Sequence, residues 1–145
     1  MTNEIASKDI GLYYNSGTVA VPVWQLVACS TSDGFSGSTD NVSVSNKCEG
    51  NWTKNLPGDR SWSFSNASYA QKIPLANQLS QEEVFALWAE STIGQWKLES
   101  INANEYLRIG EGWISDFGET SDSGDYLQFD LTIQGNGEVK NVLGT

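Results

Sequence analysis

The chain of 145 residues contains no histidine. That removes Ser-His-Asp and Cys-His sites, which need an imidazole to carry the proton. It has two cysteines, Cys29 and Cys48, and their spacing fits no zinc pattern. Free thiols are the expectation for a chain folded in the cytoplasm, with a disulfide left open. Basic residues are scarce: eight Lys and Arg stand against 18 Asp and Glu, a net charge of −10. Binding nucleic acid through its phosphates needs clustered bases, so this chain is expected to repel it. No stretch is long and apolar enough to cross a membrane. The opening MTNEIASKDIG has neither a basic region nor an apolar run, so no secretory leader is expected. The three Asn-X-Ser/Thr sites at Asn41, Asn51 and Asn66 then read as chance. No phosphate loop or dinucleotide fingerprint is present, and the sequence implies no cofactor and no metal.

Acids remain the one plentiful chemical group. Paired carboxylates for glycoside cleavage are conceivable, but acids on wet strand faces and loops are usually just solvated. Asp122-Ser123-Gly124-Asp125 lacks the EF-hand spacing and reads as an acidic turn rather than a calcium loop. The charge is unevenly spread. Residues 1–72 hold six acids against five bases, and residues 73–145 hold twelve acids against three bases.

What is abundant is aromatic and small polar residues, a mixture that suits strands and turns. The length suits one domain. Residues 1–18 read as an N-terminal arm, with a short strand near Leu12–Tyr14, and residues 19–145 as a single β domain. A strand is expected from Thr18 to Cys29 and a turn region from Ser30 to Asp40. Trp62 and Phe64 share a strand face, as do Trp96 and Leu98. Trp113, Ser115 and Phe117 alternate with Ile114 and Asp116, so that strand is expected to be apolar on both faces. From Tyr126 to Gln134 the alternation is clean: Leu127, Phe129, Leu131 and Ile133 face one way, and Gln128, Asp130 and Thr132 the other. One helix is expected at about residues 80–92. Ser80-Gln81-Glu82-Glu83 is its capping box, and Val84, Phe85 and Trp88 form its apolar face in one core with Trp62. The fold class is mainly β, a sandwich or barrel with one flanking helix.

Six tryptophans need an explanation. Trp24, Trp62, Trp88 and Trp96 share faces with other apolar residues and read as core. Trp52 and Trp113 do not. Trp52 sits between Cys48 and Arg60, in what reads as a long loop closed by the turn Leu56-Pro57-Gly58-Asp59. A loop tryptophan in polar surroundings often anchors an interface. Trp52, Asn55, Leu56, Pro57 and Gly58 are therefore candidate assembly residues. The rival reading is a carbohydrate-binding sandwich with exposed tryptophans as its platform.

The stretch Asn41 to Ser65, NVSVSNKCEGNWTKNLPGDRSWSFS, resembles the major tail tube proteins of long-tailed bacteriophages. Pro22 to Cys29 resembles that family's first core strand. Gly112 to Phe117, with Tyr126 to Gly135 and the closing Gly135-Asn136-Gly137, resembles its last strands. Together the matches span about residues 20 to 140. The chain departs from the usual pattern in its two cysteines and in showing no extra C-terminal domain. The resemblance implies a tail-tube-like β fold and a structural, non-enzymatic role. It implies hexameric rings stacked around a negatively charged channel through which DNA passes without specific binding. It also implies tape-measure, tail-terminator and tail-tip proteins as partners, assembly in the host cytoplasm and a place in the virion. A tube of a related gene-transfer or injection apparatus fits the same residues. Gln128, Asp130 and Thr132 are the candidate channel-lining residues.

Overall fold

The computed structural model describes residues 4–6, 9–18, 20–27, 30–44, 50, 52–70, 78–102 and 105–141. Both cysteines, the break at Cys48-Glu49 and the connection around Pro74 lie outside these residues. The elements run β1 (Ile10–Asn15), β2 (Trp24–Val27), β3 (Ser30–Val44), β4 (Lys54–Tyr69), β5 (Gln78–Leu79), α1 (Gln81–Ala89), β6 (Gly94–Ser100), β7 (Leu107–Thr120) and β8 (Gln128–Gly135). The strands form one eight-stranded sheet in the order β3-β4-β8-β7-β6-β1-β2-β5. Neighbours are antiparallel except β2 and β5. The sheet curls until β3, at one edge, meets β1 and β6 near the other.

The short strand expected near Leu12–Tyr14 is present as β1, and it is part of the main sheet. β1 lies between β6 and β2, and Leu12 is fully buried. The expected turn region from Ser30 to Asp40 is also strand. Glycine there serves close approach rather than a turn: a Cβ on Gly34 would stand 2.9 Å from the Ser65 hydroxyl across the ladder.

The core lines the inner face of the curl. Trp62, Phe64, Trp96, Leu98, Ile114, Phe129, Leu131 and Ile133 are all buried there. The Trp62 ring lies in a slot floored by glycine. A Cβ on Gly135 or Gly110 would fall 2.2 or 2.6 Å from it. Its indole N–H donates to the Gly137 carbonyl at 2.8 Å, so the polar edge is satisfied as the ring is buried. Phe64 and Phe35 continue the stack, with centroids 4.9 and 6.4 Å from the indole. Arg108 points inward too and lies over the rings of Tyr106 and Phe35. The alternation expected along β7 is reset by a bulge between Ile114 and Asp116. Ile114 and Phe117 therefore share the inner face, and Trp113 and Asp116 the outer.

The helix is shorter than expected, 81–89, and its cap is as the sequence predicts. The Ser80 hydroxyl accepts from the Glu83 amide, and the Glu83 carboxylate in turn accepts from that hydroxyl. Its end is made by Ser91 at φ 52°, and Gly94 just beyond opens β6. The expected helix face divides. Val84 is buried and Leu87 packs on the core, but Phe85 and Trp88 are 45% and 40% exposed. These two lean on Phe117, at 6.0 and 6.2 Å, and make no ring contact with Trp62. The helix lies against β7, so residues one position round from its buried stripe reach the rim rather than the centre. Trp24 is likewise not core. It lies over Lys97 at 4.4 Å on the outer face of β2, with Tyr13 on the other side and Glu99 paired to the same ammonium at 3.1 Å.

Trp62→Ala should cost about 3–5 kcal/mol of unfolding free energy, and Phe85→Ala about 1 kcal/mol, since roughly half the ring is already wet. Denaturant titration of the two variants checks the ratio. Burial raises the Tyr14 phenol pKa, and burial followed by the Glu99 carboxylate raises that of Tyr13. The unfolded chain then releases these protons first. Stability is therefore full below the ordinary tyrosine value of 10.0 and falls as pH climbs through the folded values. Urea midpoints on either side of that value should show the fall, and Tyr14→Phe should flatten it.

Candidate assembly and channel surfaces

The outer face of the β3-β4-β8-β7 half is built from short polar side chains. Cross-strand pairing puts Gly34, Ser36 and Ser38 of β3 beside Ser65, Ser63 and Ser61 of β4. It puts Ser63, Ser65, Ala67 and Tyr69 beside Gln134, Thr132, Asp130 and Gln128 of β8. On β7 the same face carries Trp113, Asp116, Gly118 and Thr120. The candidate residues Gln128, Asp130 and Thr132 thus share a face and form one row of it. Asp130 is exposed, and its carboxylate lies over Gly118, where a Cβ would stand 2.6 Å from Oδ1. Gln128 donates back to the Asp125 carboxylate at 2.8 Å, and the other oxygen of Asp125 takes the Tyr126 amide. That acidic turn is thus occupied by its own chain. The hydroxyls of Ser38 and Ser61 meet at 2.8 Å. Among these residues there is no Lys or Arg. The serine rows were not among the sequence candidates. Their signal is in Ser61-Trp62-Ser63-Phe64-Ser65, where a buried aromatic row dictates a wet row of serines between its members.

Within the expected loop from Cys48 to Arg60, residues 54–60 are strand, the start of β4. β3 and β4 continue together past the body as a two-stranded arm, pairing Asn41 with Pro57, Val42 with Leu56, Ser43 with Asn55 and Val44 with Lys54. Leu56-Pro57-Gly58-Asp59 is not a turn. It flanks a bulge, where two residues of β4 oppose Asp40. Proline is tolerated there because the ladder is already interrupted, and Gly58 lets β4 pass close to Val42 and Asp40. Of the candidate assembly residues, Leu56 stands on one side of the arm with Val42, and Asn55 and Pro57 on the other. Trp52 is 84% exposed beyond the last described rung. Trp113, by contrast, is on the outer, wet face of β7, beside Gln134. Asn66 is buried and holds Ser30 and Asp33, with Ser68 donating to it.

Among the described residues, two edges of this half-sheet have no strand beside them. β3 pairs with β4 alone. β6 pairs with β7 only as far as Gly112, so Trp113 to Thr120 pairs with β8 alone. Among the described residues no backbone hydrogen bond outside the ladder reaches that segment. β3 and β7 lie at opposite margins and run in opposite directions. A second copy's β3 laid along β7 would continue the antiparallel alternation without a break.

A curled sheet with a wet face and two edges of opposite sense left unpaired among the described residues has the features of a subunit that adds to copies of itself edge to edge. The family comparison agrees with that class. The phage tail tube protein family model matches residues 4–141, and the chain belongs to this family. No curated protein sequence matches it. Among solved structures it is similar to the tail of an empty gene transfer agent particle of C6 symmetry, at 17% identity and TM-score 0.75, covering 96% of this chain and 99% of that one. It is similar to the SPP1 tail tube at 15% identity and TM-score 0.71, covering 95% and 79%. It is also similar to the anti-feeding prophage tube cap at 9% identity and TM-score 0.67, covering 99% and 94%. At these identities the likeness is one of fold.

Proposed function

We propose that this chain is a structural, non-enzymatic subunit of a phage tail tube, in which six copies close a ring and rings stack around a channel for DNA. The pair of free, antiparallel-compatible edges on β3 and β7 carries this reading. Rotating one copy onto the next closes the half-sheets into a continuous barrel in which no edge is left unpaired. The channel is then faced by the serine rows with Gln128, Asp130 and Thr132. Such a wall suits a conduit. Hydroxyls keep the surface wet, the lack of cations denies phosphate a partner, and the carboxylates repel it. The arm with Trp52, Leu56 and Pro57 is the axial assembly element. Tape-measure, tail-terminator and tail-tip proteins are the expected partners, with assembly in the host cytoplasm and a place in the virion. The likeness to a gene transfer agent tail supports a second reading, the same tube in a gene-transfer or injection apparatus. Size-exclusion chromatography with negative-stain imaging tests the assembly. Rings or tubes are expected, and a glycan-binding monomer would overturn the reading.

Trp52→Ala should leave the subunit's stability within about 0.5 kcal/mol, as for other exposed positions, and lower tube yield. Unchanged yield would remove Trp52 from assembly. Asp130→Lys should still give tubes, because Asp130 lies on the wet face. Virions carrying it should eject DNA more slowly at low ionic strength and recover partly as salt screens the new charges. Ejection rates equal to the parent's at every salt concentration would take Asp130 out of the channel.

A further inference from the structure

Asn136 is the only asparagine in the chain that a glycine follows. The backbone nitrogen of the next residue can attack an asparagine side chain, and glycine, with no Cβ, hinders that attack least. Whether the reaction runs in a folded protein depends on how firmly the two residues are held. Here they are held loosely. Both are exposed and lie outside any strand, between β8 and the bridge of Lys140 to Ile109. Among the described residues the Gly137 N–H donates to nothing, and the Asn136 side chain has no hydrogen-bond partner. A Cβ placed on Gly137 would meet nothing within 4 Å, so a ring closing there has room.

The contrast with other asparagines is one of structure as well as sequence. Asn15 also precedes a small residue, Ser16, but its side chain is buried and bonded at both ends. Its amide nitrogen donates to the Thr18 carbonyl at 3.0 Å and to Gln95 at 3.1 Å, and its oxygen accepts from the Gly17 and Val23 amides. A side chain tied at both ends cannot swing onto its own backbone. Asn66 is likewise buried and tied to Ser30, Asp33 and Ser68.

The position matters because of what Gly137 does with its carbonyl. That oxygen accepts the Trp62 indole N–H at 2.8 Å. On the other side, the Asn136 N–H donates to the Glu111 carbonyl at 2.8 Å. The Asn136–Gly137 link therefore lies between two anchored points. Asn136 also lines a pocket of about 370 Å³ with Glu111, Glu138 and Lys140, where a new carboxylate would be a third acid beside one base.

We propose that Asn136-Gly137 is a site of spontaneous deamidation, and that its conversion loosens the Trp62 slot. The Gly137 nitrogen bonds to Asn136 Cγ and gives up its proton, and the side-chain amide leaves as ammonia. The product is a succinimide ring. Water then opens the ring at one of its two carbonyls. Opening at Cγ gives aspartate, and opening at the main-chain carbonyl gives isoaspartate, whose main chain runs through the side chain. No oxidant and no enzyme is required. Isoaspartate lengthens the link between the two anchors and draws the Gly137 carbonyl away from the indole, which leaves a buried N–H unpaired.

The test uses the purified subunit and is independent of the tube reading. The folded chain is aged in neutral buffer at physiological temperature, and its peptides are followed by mass spectrometry. The Asn136 peptide should gain the mass of an acid in place of an amide faster than every other asparagine peptide, and isoaspartyl methyltransferase should label it. Asn136→Gln should lose both signals. Conversion in the folded chain no faster than at Asn41, which is exposed but precedes valine, overturns the site. The consequence for Trp62 is read separately. The isoaspartate form, isolated by chromatography, should unfold at lower urea than Asn136→Asp, which carries the same charge on an unaltered main chain. Equal urea midpoints overturn the loosening of the slot.

Discussion

Every backbone N–H and C=O at the margin of a sheet needs a partner, and among the described residues two long margins of this subunit have none. β3 offers fifteen residues and β7 its last eight, Trp113 to Thr120. A soluble monomer usually blunts such edges with charge, proline or a covering element. Here the β3 margin is mostly serine, glycine and threonine. Helix α1 packs against β7, and its Gln81 side chain donates to Glu119, but its backbone does not reach the strand edge. Edges this open make sense when a copy of the same chain closes them. Closure as proposed would also set what else the sheet must be: bent enough to form an arc, apolar inside, and wet on the face turned to the channel.

The bend and the apolar interior come from the same few residues. Gly110 and Gly135 open the slot for Trp62, and the bulge after Ile114 turns β7 so that Ile114 and Phe117 both reach inward. An indole pressed on backbone from two strands fixes how those strands approach, because close-packed interiors tolerate little adjustment. Phe35 on β3 packs on Trp62 and Phe64, so the edge strand is held in register by the core it borders.

Much of this was legible in the sequence, and the failures share a cause. Strict alternation from Phe129 to Ile133 and in Trp62 and Phe64 identified the buried rows, because period two survives any tertiary context. The Ser80 cap was legible because it is local. The Gln128, Asp130 and Thr132 row was legible as a wet face, though not the serines that widen it. Gly34, Gly37, Pro57 and Gly58 misled because glycine and proline mark both turns and interrupted strands. Only a partner strand tells the two apart, and a partner is non-local. Phe85 and Trp88 misled for a related reason. Helical spacing defines a stripe, but which flank of the stripe meets the sheet depends on where the helix lies, here at the margin of β7.

That margin position links the lateral and axial contacts. The arm is built from β4 and from β3, the strand whose outer edge would meet the next copy in the proposed ring. In the proposed ring, a copy whose β3 is paired laterally would have the base of its β3–β4 arm clamped along a neighbour's β7, whereas in a free subunit the arm is held only where its two strands run into the body. A two-stranded ribbon held on one side loses more entropy on docking than one already fixed at its base. In the proposed tube, axial docking would then be weaker for single subunits than for closed rings. This difference in preorganisation would order assembly, ring before stack.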